Sequence, residues 1–239
     1  MMLAAGLVVA STLGLSGTEW AAHVAAVAAA NEQLGFRAFE TGTGQCPPTV
    51  KRCFGLAVHV VTSDGTREGE PVQRPLWLYE HIAHANRLFS VISVGFEVSS
   101  ADTLPADVGD VQTRTDRDLL GKNVFNTGVV HVFVVKRLAD VDVAGEVIRG
   151  VHWRYRPNVA KRWIILSSIG KFTVMAHELG HFFGLPHSTY EVSIMNKRPR
   201  ELPWPDRVFA TPEVEVTRRR TSEMLADGSL KNRRRRPTR

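Results

Sequence analysis

The chain has 239 residues, 44% hydrophobic and 23% charged, which suits one soluble globular domain with short appendages and excludes two comfortable ones. Its net charge of +6 is misleading: residues 218–239 hold eight Arg and Lys231 against Glu223 and Asp227, a net +7, which leaves the rest near −1. The body is therefore no polyanion binder, and any nucleic-acid contact is expected only through the basic tail, residues 228–239, expected to be disordered.

In chain order, MMLAAGLVVASTLGLSG carries no charged side chain before Glu19 and resembles a secretory signal peptide, with Ala-rich residues 21–30 to hold the cleavage site. The run is short for a membrane span, so residues 1–30 predict export to a secreted or periplasmic location without a stable membrane segment. Residues 31–53 form an N-terminal segment that contains Cys46 and Cys53 in CPPTVKRC. In an exported protein this pair reads as a small disulfide loop pinning the first strand. The alternative is a thiolate that caps a zinc ion and holds an enzyme latent.

FGLAVHVVT (54–62) alternates as a strand, and Pro75 opens a helix over 75–90 whose Leu78, Ile82, Ala85 and Phe89 share a face. VGFEV (94–98), VVHVFVV (129–135) and WIILS (163–167) read as further strands, the last two as apolar runs covered on both sides. His59 and His131 within strands read as hydrogen-bonded core histidines, with metal ligation as the alternative. VIRGVHWRY (147–155) is β-prone but carries Arg149, His152 and Arg154, which suits an edge strand. Thr211-Pro212 reads as a cap and first turn of a last helix running towards Gly228. Strand, helix, strands, helix suggests an α+β domain over 54–227: a mixed sheet with helices packed on it.

HELGHFFGLPH (177–187) carries the chemistry. Residues four apart share a helix face, so His177 and His181 point the same way and can bind one ion. Gly184 lets the helix end abruptly, and Pro186 biases Leu185 out of helical geometry, so the chain can turn back and bring in His187. Three imidazoles with the fourth tetrahedral position open are the pattern of a catalytic zinc site with one Zn2+ ion. Glu178, beside the first ligand, is the natural general base for a metal-activated water attacking a carbonyl.

HExxHxxGxxH resembles the metzincin clan of zinc endopeptidases, and SIMN (193–196) supplies Met195, eight residues after His187, where that clan carries a methionine turn. The resemblance implies that Met195 forms an apolar floor and is not a ligand. It implies a metzincin-like catalytic domain: a mixed twisted sheet of about five strands with an antiparallel edge strand, an active-site helix and a C-terminal helix. The interval from His187 to Met195 and the presence of Ser188 look matrixin-like. The clan's structural zinc and calcium motifs are not seen here, and Lys197 stands where astacin-like enzymes have tyrosine. The implied activity is endopeptidase cleavage of an extended peptide or protein by a monomer, the peptide pairing with the edge strand around 147–155. A catalytically inactive, zinc-containing peptide-binding module is the alternative. RPRELPWP (198–205) would wall the pocket past the scissile bond, with Trp204 either there or in the core. Lys197 and Tyr190 read as solvent-facing, with stabilisation of a tetrahedral oxyanion as the alternative for either.

Overall fold

The computed structural model describes residues 46–64, 69–198, 202–203 and 206–234. The leader, 1–30, most of the segment before Cys46 and Trp204 lie outside the described residues. Five strands, β1 (Arg52–Val61), β2 (Val94–Leu104), β4 (Val129–Val135), β6 (Gly150–Arg154) and β7 (Arg162–Ser167), form one sheet in the order β2-β1-β4-β7-β6. The first four in that order are mutually parallel, and β6 closes the edge antiparallel to β7, as expected for residues 147–155. Parallel neighbours need long crossovers, and α1 (Pro75–Phe89) supplies the one from β1 to β2.

The period of two along the strands divides the core. Phe54, Leu56, Val58 and Val60 of β1 join Val130, Val132, Val134, Ile164 and Leu166 on one face. There they meet α1 through Leu78, Ile82, Ala85 and Phe89, all at most 1% exposed, the stripe read from the sequence. The same face carries α3 (Val174–Phe182) and α4 (Thr211–Ala226) through Met175, Leu179 and Met224. Phe133, Val135, Trp163 and Ile165 point to the opposite face.

That face is covered by elements the sequence reading did not anticipate. α2 (Arg114–Lys122) packs Leu120 there, and its Gly121 lies so close to Trp163 that a β-carbon would stand 2.4 Å from the ring. β3 (Asp110–Val111) and β5 (Arg137–Leu138) pair beside it. RTDRDLLGK lacks an apolar stripe, so periodicity passes over it. Its one signal is Thr113 followed three residues later by Asp116, which form a reciprocal capping box.

Two expectations are corrected. Thr211 is not the cap of α4 but its first residue; Ala210 is the N-cap, and its N–H donates to the Glu213 carboxylate at 2.8 Å. Residues 228–234 are not a disordered tail. Leu230 is 1% exposed, Gly128 and Leu230 form a parallel bridge, and the Arg233 N–H donates to Cys53 O at 2.8 Å. Arg233 also pairs with Glu97, and Arg234 donates to the carbonyls of Pro47 and Pro48. Composition marked this segment as solvated, but one leucine and a row of backbone partners fasten it across the sheet's end. Cys46 and Cys53 are joined in a disulfide, so neither is a zinc-capping thiolate. No helix among the described residues is long and apolar enough to cross a membrane.

Candidate metal centre

α3 buries Met175, Ala176 and Leu179 in the core and turns His177 and His181 towards a cleft. It stops at Gly184, whose φ of 90° favours glycine. The N–H of Gly184 bonds to His181 O and that of Leu185 to Gly180 O, both at 2.9 Å, the paired bonds of a Schellman ending. Leaving this turn, the chain reverses and delivers His187. The Nε2 atoms of His177 and His187 each lie 3.1 Å from Nε2 of His181.

The other ring nitrogens decide what these atoms can do. His177 Nδ1 lies 2.8 Å from Ile194 O, and His181 Nδ1 lies 2.7 Å from Leu185 O. A carbonyl only accepts, so both Nδ1 atoms carry the proton and both Nε2 atoms present lone pairs. Two lone pairs facing each other at 3.1 Å repel unless a cation lies between them. Tetrahedral zinc, with Zn–N of about 2.0–2.1 Å, sets its ligand nitrogens about 3.3 Å apart, so the donor set fits zinc. Burial keeps the rings neutral, the form that ligates: it pushes His177 down to about 3 and His187 to about 4, with the neighbouring His181 adding to both, and it lowers His181 as well.

Glu178 is 5% exposed and borders the same cleft. Burial pushes its carboxyl up to about 8, opposed by the backbone N–H of His152 on β6 and by the Lys197 and Arg117 cations. Its place depends on Gly150 of β6, where a β-carbon would meet Val174 Cγ1 at 2.6 Å and Glu178 Cγ at 3.1 Å. The strand edge and the helix can thus approach only because residue 150 has no side chain. Gly180 does the same one turn on, since a β-carbon there would stand 2.5 Å from Met195 Sδ.

Met195 is fully buried beneath the helix, and its neighbour Ile194 supplies the carbonyl that orients His177. The turn is braced from two sides. Ser193 Oγ accepts from Met195 N–H at 2.9 Å and donates to Glu213 at 2.8 Å, which ties the turn to α4. The buried Arg207 guanidinium donates to Asn196 O at 2.8 Å and Leu202 O at 3.1 Å. The sequence reading missed Gly150, Ile194, Glu213 and Arg207; none belongs to a local pattern.

The segment from 136 to 203 carries β6, β7, the three histidines and Met195. It matches the family model for matrixin. The matrixin match supports a zinc metallopeptidase kind for this chain and agrees with the metzincin resemblance of the motif, while the subfamily stays unassigned. A crystal structure of an archaemetzincin from Methanopyrus kandleri is similar to it at a TM-score of 0.47 and 16% identity, over 73% of this chain and 97% of that one. No curated protein matches the sequence at a significant level. Matrixin-like spacing is thus present without a further convergent ligand set: among the described residues the other close group is Cys46, Cys53 and Glu97, whose cysteines are bonded to each other.

The remaining sequence expectations divide. Lys197 is exposed and lines the cleft, whereas Tyr190, 45% exposed, does not. His59 and His131 are buried core histidines: Asn126 N–H donates to His131 Nε2 at 3.1 Å, the two rings bond at 3.0 Å, and His59 Nδ1 reaches Asp102 at 2.6 Å. One proton arrangement satisfies the whole chain of bonds, which is a structural role.

Proposed function

We propose that this chain is a zinc-dependent endopeptidase that cleaves extended peptides, with Glu178 as general base. The observation that carries the reading is the convergence of three imidazole Nε2 atoms beside a buried carboxyl in an open cleft of about 1280 Å³. His177, His181 and His187 would hold the ion. Zinc bound there supplies Lewis-acid polarisation of water and of the peptide carbonyl.

The chain's own groups do the rest. Edge strand β6 lines the cleft and offers backbone groups for an extended substrate, which holds the scissile bond next to Glu178. Glu178, whose ionised form is favoured by the His152 N–H and the Lys197 and Arg117 cations and would be favoured further by zinc held at the histidines, takes a proton from the attacking water and returns it to the leaving amine. Lys197, at the cleft, is positioned to meet developing negative charge on the carbonyl oxygen. The apolar leader and the Cys46–Cys53 disulfide support export, and we take the working unit to be a secreted or periplasmic monomer.

The test is Glu178→Ala in the full chain, with zinc content and cleavage of a broad peptide library measured together. The variant is expected to keep one zinc per chain while cleavage falls by at least about 10²-fold. Wild-type protein with stoichiometric zinc that cleaves no peptide, yet binds peptides as well as the variant does, would make the chain a peptide-binding module instead.

A further inference from the structure

We infer that the cleft selects acidic peptides, with Asp or Glu on either side of the bond held at the metal centre; the inference rests on the peptide-cleft reading above. Five cations line the cleft: the buried Arg117, which donates to Ala139 O, and four exposed ones from three segments, Arg149 just before β6 and Arg154 at its end, Lys171 in the loop before α3, and Lys197 after the methionine turn. The charged groups of these four have no ion-pair or hydrogen-bond partner among the described residues.

The acids of the cleft do not balance them. Asp142 is paired with Arg114, Asp140 acts on the buried Arg117, and Glu178 is buried against His152, which leaves the four exposed cations unmatched. Nor is this a sample of a basic surface, since the chain outside residues 218–239 is near −1. The concentration is local, and it has a cost: Arg154 lies directly opposite Arg162 in the β6–β7 register, and like charges facing each other across strands destabilise the sheet. An anionic substrate relieves that repulsion. Arg149 and Arg154 are five residues apart, about 16 Å along an extended chain. A peptide paired with β6 would therefore meet one cation near each end of a six-residue stretch, and Lys171 and Lys197 add charge between the rims and the metal centre.

The experiment uses zinc-loaded full-length Glu178→Ala and fluorescein-labelled ten-residue peptides that are neutral, singly acidic at each position, doubly acidic with a five-residue spacing, or basic. Anisotropy is read at 50 and 300 mM NaCl. The doubly acidic peptide is expected to bind at least about tenfold tighter than the neutral one, basic peptides to bind least, and the gap to narrow at the higher salt. Arg154→Glu and Lys171→Glu should each remove most of the acid preference, read as the ratio of the acidic to the neutral peptide's affinity, so that a general loss of binding does not count as support. Equal affinities across the panel, a preference for basic peptides, or no binding of any peptide overturns the inference. Wild-type cleavage of the same panel separates the two readings. Acid-selective binding without cleavage removes the peptidase and keeps the selectivity, whereas cleavage without acid preference does the reverse.

Discussion

At the scale of single residues, two glycines set the geometry of the metal centre. Gly150→Ala would place a methyl group 2.6 Å from Val174 Cγ1 and 3.1 Å from Glu178 Cγ, at the point where β6 meets the proposed general base. The expected outcome is a fall in kcat/KM of about 10²-fold with zinc content unchanged, because a displacement of about 1 Å at a reacting group costs that much. Gly180→Ala acts on the floor of the site, pressing on the fully buried Met195. It should lower stability by about 1–3 kcal/mol in urea titration, with zinc affinity weakened through the turn that carries Ile194. The proposed ligands and base are legible in HELGHFFGLPH because helix periodicity places His177 and His181 on one face, the glycine and proline turn the chain back to His187, and Glu178 adjoins the first histidine. The groups that orient them are not, because backbone carbonyls such as Ile194 O and Leu185 O have no sequence signature and glycines at close approaches look like any other.

At the scale of elements, α1, the five strands of the main sheet and the helix that carries His177 and His181 follow from period and punctuation, and their stripes were readable. The C-terminal strap was not. Residues 228–234 read as part of a charged tail, yet they link the start of β4, the start of β1 and the disulfide loop through Leu230, Asn232 and two arginines. Replacing Cys46 and Cys53 together by Ala should cost about 2 kcal/mol from loop entropy alone, given their separation of seven residues. It should also speed limited proteolysis after Asp227, because Arg234 loses the ordered carbonyls of Pro47 and Pro48. Cleavage kinetics identical in the oxidised protein and the double variant would show that the strap is held without the loop.

For the whole molecule, buried histidines set the acid limit. Burial pushes His81 and His131 down to about 4 and His84 to about 3, from ordinary values of 6.5, and all three are at most 6% exposed. Their folded values lie below the unfolded one, so the unfolded chain binds more protons below about pH 6.5. Stability is therefore fully present above that pH and falls as pH drops towards 4, by on the order of 1 kcal/mol per histidine at pH 5. Urea midpoints at pH 7.5, 6 and 5 should decline in that order, and His84→Phe should flatten the slope. Zinc acts in the same balance. With free ion at about 100 times its Kd, the folded state gains about 2.7 kcal/mol, so chelation should lower the melting temperature of the wild type, and of His187→Ala far less.

By itself, the sequence determined which three histidines converge, the helix that pairs two of them, the glycine that ends it and the α+β class. All of these rest on interactions within a few residues, which spacing encodes. Tertiary structure alone decided which carbonyls lock the imidazole protons, which strand edge holds Glu178, how α4 and Arg207 brace the methionine turn, and where residues 228–234 lie. Those contacts join positions far apart in the chain, and their existence depends on the packed sheet bringing them within hydrogen-bond reach.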